Sequence, residues 1–213
     1  MRPLKVLVRL ALVGAFLVGG AVRPASADAV GVGDLVKFNG SLGTLGGGPF
    51  LLDVLGTGSN LDFVTFCLQR NAYVDFGHSY VVGGVSAAAD DDGGVDPISD
   101  ETAWIYKNFR SGLLGSFTSN AAQAAIWALE EGFNASSVTG AADLFALAQA
   151  AVLGGWRNNG QVQVLNLFYE NGDKAQDQLA LVTTVPEPAT LLLLSTGLIG
   201  VARMSRRRRQ QQL

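Results

Sequence analysis

Two uncharged apolar runs fence this chain and decide which part of it can fold in water. The first, Leu10 to Ala21, follows a basic segment holding Arg2, Lys5 and Arg9 and precedes the small-residue triplet Ala25-Ser26-Ala27. That order predicts a secretory signal peptide over residues 1–27, cleaved after Ala27 to leave Asp28 as the new N-terminus. The second run, Ala189 to Ala202, is rich in leucine (Leu191 to Leu194 and Leu198) and is followed by Arg203 and by Arg206, Arg207, Arg208 and Arg209. A helix satisfies its own backbone groups in hydrocarbon, so this run predicts a transmembrane helix. The arginines behind it predict a stop that stays on the cytoplasmic side. At 14 residues the run is shorter than the roughly 20 a stable span prefers, which suits a transient anchor. The folding unit is therefore expected between the two runs, over residues 28–184.

Removing the ends uncovers a strongly acidic body. Between Asp28 and Thr184 there are six basic and seventeen acidic residues, a formal charge of −11. Such a surface repels phosphate backbones, so nucleic acid is excluded as a partner.

The body reads first as strands, then as helices, then as strands again. Asp34 to Phe38, Phe50 to Leu55, Tyr73 to Phe76 and Tyr80 to Val85 are short β-favouring runs. Leu61 to Leu68 alternates Leu61, Phe63, Thr65 and Cys67 on one face with Asp62, Val64, Phe66 and Leu68 on the other, as a central strand would. The stretches 39–48 and 86–97, rich in glycine or aspartate, read as loops. Asp100 is the expected N-cap of a first helix, with Glu101 in its first turn and Gly112 behind its end. A second helix is expected from about Asn120 to Gly132 and a third from about Ala142 to Gly154. Val162 to Phe168 and Gln178 to Thr183 return to strand character. The order predicts an α+β domain, a mainly antiparallel sheet or sandwich with inserted helices.

Candidate chemistry is sparse. One cysteine, Cys67, and one histidine, His78, with no ligand spacing, exclude a zinc site, and no cofactor motif is present. No Ser-His-Asp set or paired carboxylates point to a hydrolase, so the body reads as non-enzymatic. A Cys67–His78 dyad has no nucleophile motif around it. A lone cysteine in an exported chain cannot close an internal disulfide. Either Cys67 is a buried thiol acting as a small hydrophobe, or it has a partner of another kind. Asn120 and Gln123 have capping-box spacing, which offers Gln123 a purely structural role. Ile126 and Trp127 fit a helix face turned to the core.

Two local sequences resemble known families. Val185-Pro186-Glu187-Pro188, the leucine-rich run and the terminal arginines, in that order, resemble the PEP-CTERM sorting signal. The resemblance covers residues 185–213. It implies processing by an exosortase, transient residence in the inner membrane, and a secreted or cell-surface destination in a Gram-negative bacterium that makes exopolysaccharide or biofilm matrix. The second resemblance joins Phe66-Cys67-Leu68 to Gln123, Ala125, Ile126 and Trp127, 56 positions after the cysteine. It is to the thioester domains of bacterial surface adhesins, whose strand cysteine is bonded to a glutamine in a Thr-Gln-x-Ala-Ile-Trp helix motif. Here Ala122 stands where that motif has threonine, which removes a hydroxyl beside the bond. The resemblance implies an internal Cys67–Gln123 thioester, shielded by Ile126 and Trp127 and attacked by an amine or hydroxyl of a surface or matrix target.

Overall fold

A computed structural model describes residues 28–56, 63–91 and 94–182. The signal peptide with Ala27, Leu61 and Asp62, and the whole tail, including the expected transmembrane helix, lie outside the described residues. No described helix is long and apolar enough to cross a membrane.

The chain forms β1 (Leu35–Ser41), β2 (Phe50–Val54), β3 (Phe63–Thr65), β4 (Ser79–Ser86), β5 (Ala88–Asp91) and β6 (Gly94–Pro97). The helices α1 (Asp100–Arg110), α2 (Ser119–Glu130) and α3 (Ala141–Leu153) follow, then β7 (Val162–Tyr169) and β8 (Gln178–Leu181). Helices thus interrupt an antiparallel sheet, as expected. The sheet order is β3-β2-β1-β4-β7-β8, every pairing antiparallel.

The two ends of that order meet. Past Thr65 the chain pairs with β8: Cys67 bridges Gln178, Leu179 N–H donates to Phe66 O at 3.0 Å and Leu68 N–H to Asp177 O at 3.2 Å. Thr65 Oγ1 reaches Leu179 O at 2.6 Å. The six strands therefore form a closed sheet. The strand expected over 61–68 is shorter as a regular element and sits at the seam rather than in the middle, but its alternation is correct. Phe63 and Cys67 join a cluster with Phe38, Phe50, Leu52, Tyr80, Leu165 and Leu167. Phe66 and Leu68 turn the other way, into a second cluster with Ile105, Tyr106, Ile126, Leu144, Val164 and Leu179 under the helices.

Each helix is stopped in a way its residues explain. Ser99, not Asp100, caps α1, its side chain accepting from Thr102 N–H; Asp100 and Glu101 fill the first turn, where carboxylates complement the helix dipole. Thr118, not Asn120, caps α2, accepting from Ala121 N–H. The hydroxyl two residues earlier wins because Asn120 is engaged elsewhere: its Oδ1 accepts from Thr44 N–H and its Nδ2 donates to Thr44 Oγ1. Gly112 and Gly132, just past the ends of α1 and α2, take positive φ values of 67° and 63°, the left-handed exit glycine makes without strain.

Three loop and strand expectations are corrected. Tyr73 to Phe76 is not a strand; both aromatic rings are exposed. Residues 86–97 hold the β5–β6 hairpin, anchored by Asp90 N–H donating to the buried Asp177 carboxylate at 2.7 Å. Burial raises the pKa of Asp177 despite further donors from Asn166, Gln69 and Leu167. Part of 39–48 extends β1 as far as Ser41 around a bulge between Phe38 and Gly40.

Asp28 is built into the body. Its N–H donates to Leu181 O and its Oδ2 accepts from Leu181 N–H, both at 2.8 Å. Arg110 grips the same carboxylate with two nitrogens, at 2.9 and 2.7 Å.

Candidate functional site

The seam of the closed sheet is where the two candidate residues meet. Cys67 is placed by its bridge to Gln178 and Gln123 by α2. The buried face of α2 is lined by Ala121, Ala122, Ala124 and Ala125, all fully buried. Ala122 and Ala125 pack in the cluster that holds Phe66 and Leu68, Ala121 and Ala124 pack with Ala141 of α3, and Gln123 between them reaches Cys67. With Thr118 as the cap, Gln123 falls at the start of the second turn, not at the capping-box position, so its carboxamide is not spent on the helix end.

Both side chains are 0% exposed. Cys67 Sγ lies 3.5 Å from Gln123 Oε1, the thiol donating. Gln123 Nε2 donates to Cys67 O at 2.9 Å. The carboxamide is therefore held at both ends by a single residue, its oxygen against the sulfur and its nitrogen against the same residue's carbonyl. Burial pushes the Cys67 thiol up to about 12; the N–H groups of Gly48 and of Cys67 itself and the Trp127 indole offset part of that rise. At neutral pH the sulfur is a thiol, apolar in its surroundings and closed to bulk reagents.

The wall over the pair is the glycine-rich end of the expected 39–48 loop, whose contact with Cys67 and Gln123 sequence reasoning missed. A methyl group built on Gly47 would lie 2.5 Å from the Trp127 ring and 3.0 Å from Cys67 Sγ. One built on Gly48 would lie 2.8 Å from Thr65 O, 2.9 Å from Phe66 Cα and 3.0 Å from Gln123 Oε1. Glycine is needed at both positions because the backbone itself passes over the Cys67 and Gln123 side chains. The signal for this was the run Gly46-Gly47-Gly48-Pro49, more glycine than a plain turn requires. The loop is tied to α2 by the twin Asn120–Thr44 bonds described above.

Ile126 and Trp127 part company. Ile126 is fully buried in the cluster under the helices. Trp127 enters the other cluster beside Cys67, and its buried indole N–H has no hydrogen-bond partner apart from a weak polar approach to the Cys67 sulfur. Its outer side is closed by Phe133, edge-on at 5.9 Å, and by the Arg70 guanidinium at 5.9 Å from its centroid. His78 is exposed ahead of β4, away from the buried cluster that holds Cys67. Among the described residues no group of three or more His, Cys, Asp or Glu could hold a metal ion.

Chemically, an acyl donor and a sulfur nucleophile are held together out of water, with no charged group among their hydrogen-bond partners. Pro186, Glu187, Pro188 and Arg206 to Arg209 lie outside the described residues, but they lie within a segment that comparison identifies. No curated protein and no solved structure matches the chain. Residues 184–209 match the PEP-CTERM protein-sorting motif, a motif of exported cell-surface proteins of Gram-negative bacteria, and the chain is on that ground an exported protein processed by an exosortase.

Proposed function

We propose that the exported body is a covalent-attachment module, armed by an internal thioester between Cys67 and Gln123. The observation that carries this reading is the 3.5 Å approach of Cys67 Sγ to the Gln123 carboxamide, both fully buried. In the arming step the sulfur adds to Cδ of Gln123 and the Cδ–Nε2 bond breaks. The thiol proton leaves with that nitrogen, so the products are one thioester and one ammonia. The hydrogen bond from Nε2 to Cys67 O aligns the leaving nitrogen beside the attacking residue, and the fixed geometry supplies the proximity that makes such a step intramolecular. Water exclusion by Gly47, Gly48 and Trp127 then protects a bond that water would hydrolyse. An amine or hydroxyl on a surface or matrix target opens it: the nucleophile bonds to Cδ, and the sulfur leaves and takes up the proton the nucleophile loses. The chemistry is spent once per molecule, so the protein is not a turnover enzyme. Export of the chain, which the sorting motif supports, would carry this chemistry outside the cell, where a permanent bond to a surface or matrix component is of use.

Intact-mass measurement of the exported protein tests the reading. The expected result is a mass lower than the sequence by one ammonia, restored in both Cys67→Ala and Gln123→Ala. An unchanged sequence mass, with one thiol labelled once the protein is unfolded in denaturant, would instead establish Cys67 as a buried structural residue of a matrix or adhesion module.

A further inference from the structure

Beside the Gly46–Gly48 loop, on its outer side, a cleft of about 220 Å³ is lined by Ser41, Gly43, Thr44, Gly46, Gly47, Phe50, Tyr73, Val74, Phe76 and Gln176. Its lining has two notable properties. First, two aromatic rings stand in water at its rim, Tyr73 69% and Phe76 52% exposed. The other exposed large apolar side chains among the described residues are aliphatic and lie outside this lining, so the two exposed aromatic rings stand together at one cleft. Phe76 is braced there by an edge-on contact with Phe50 at 5.8 Å. Second, no lining residue is charged, although the body carries −11. Asp75, between the two aromatics in sequence, directs its carboxylate away to the Tyr169 hydroxyl at 3.4 Å. The polar side chains of the lining are Ser41, Thr44, Tyr73 and Gln176. The Gln176 carboxamide is engaged, its Nε2 donating to Gln69 O and Ala72 O and its Oε1 accepting from Gln178, and Ser41 Oγ donates to Gly43 O, which leaves the hydroxyls of Thr44 and Tyr73. Thr44 Oγ1 accepts from Asn120, which leaves its O–H to donate.

We infer that this cleft is the recognition site of the attachment module and that it takes a sugar unit of a neutral glycan. An ammonium group finds no carboxylate in the lining, and an acidic sugar finds no cation. A neutral pyranose offers apolar C–H faces for the Tyr73 and Phe76 rings and hydroxyls for the O–H groups of Thr44 and Tyr73. The volume is below that of a drug-sized pocket and suits one such ring. The inference rests on the thioester reading for its purpose. The wall between cleft and sulfur is Gly47, whose missing side chain would reach within 3.0 Å of Cys67 Sγ. A sugar hydroxyl held here is separated from the thioester by one glycine backbone. Attack requires that backbone to move aside on binding; the hydroxyl then adds to Cδ of Gln123, an ester forms, the S–Cδ bond breaks and the hydroxyl proton passes to Cys67.

Reversible binding is read by calorimetric titration of the full chain carrying Cys67→Ala, in which no covalent step can occur. The probes are cellotetraose, maltotetraose, mannotetraose and chitotetraose, with tetragalacturonate and a lysine-containing peptide for comparison. At least one neutral tetrasaccharide is expected to bind, and Tyr73→Ala and Phe76→Ala are each expected to weaken that binding about five- to tenfold. Leu147→Ala, on the exposed side of α3, is the control and leaves it unchanged. Absence of binding by every neutral glycan, equal binding by the aromatic variants, or preference for the uronate or the peptide overturns the assignment. Because the thioester is read separately by mass, loss of ammonia without glycan binding removes only the cleft, and glycan binding without loss of ammonia removes only the thioester.

Discussion

Replacing Gly48 by alanine tests the claim that backbone, not side chain, seals the reactive pair. The added methyl would sit 2.8 Å from Thr65 O and 2.9 Å from Phe66 Cα, both backbone atoms of the seam, and 3.0 Å from Gln123 Oε1. Backbone on two sides cannot rotate away as a side chain can, so the loop must lift. Overpacking of this kind costs about 1–3 kcal/mol, and with two rigid neighbours the upper end applies. Gly46 is the internal comparison. It has a φ of +78° and nothing within 4 Å of an added methyl, so Gly46→Ala incurs only the left-handed backbone cost, about 1–2 kcal/mol. For a domain of this size each kcal/mol lowers Tm by about 2–4 °C. Gly48→Ala should therefore melt about 6–12 °C below the parent by circular dichroism, and Gly46→Ala about 2–8 °C below it. The lifted loop should also admit water, so Gly48→Ala should regain the thiol at Cys67 while Gly46→Ala keeps the parent mass. A Gly48→Ala protein that melts no lower than Gly46→Ala, with its sulfur still protected, would refute the sealing argument.

Two further outcomes follow from the buried groups. Arg110→Ala leaves the Asp28 carboxylate, 3% exposed, without its guanidinium; breaking a buried pair in this way should cost about 3–5 kcal/mol in chemical denaturation. In Gln123→Ala, where the thiol has no acyl partner, the unfolded chain releases the thiol proton near the usual 9.0 and the folded chain holds it up to about 12. The folded state then binds more protons, so stability present at neutral pH is lost as pH rises from about 9 towards 12. Denaturation midpoints against pH should show that loss relative to Cys67→Ala/Gln123→Ala, which removes the titrating group.

The sequence carried much of this arrangement because its signals were local. The alternation around Cys67 correctly assigned Phe63 and Cys67 to one side and Phe66 and Leu68 to the other, since a strand's period is set by the backbone alone. The glycines after α1 and α2 marked their ends for the same reason. Gln123 was located by its helix, but its separation from the capping role was not legible. That depended on Thr118 as the better cap and on Thr44, 76 residues away, drawing off Asn120. Closure of the sheet was likewise hidden, because the Cys67–Gln178 pairing joins segments that share no local pattern. Tyr73 and Phe76 read as a strand because aromatic residues fit pleated surfaces as well as they fit the rim of a cleft. The Gly46–Gly48 run looked like a turn; only the packing shows that its missing side chains make room for Cys67, Gln123 and Trp127.

The closed seam bears on how copies of this protein can associate. A strand with unpaired backbone groups is a template for addition of another chain. Here the outer side of β8 is occupied by Phe66 and by Asp28, and the Val64 carbonyl on β3 is taken by the Tyr106 hydroxyl at 2.8 Å and by Arg110 at 3.2 Å. The hairpin's outer strand, β6, is four residues long and carries Asp96 and Pro97, both poor hosts for a further strand. Among the described residues, the six-stranded sheet therefore offers no open strand edge at its seam, and the hairpin offers only a short and poor one. On the proposed reading, joining it to its surroundings falls to side-chain chemistry; the backbone that might have recruited a neighbour holds a cysteine beside a glutamine.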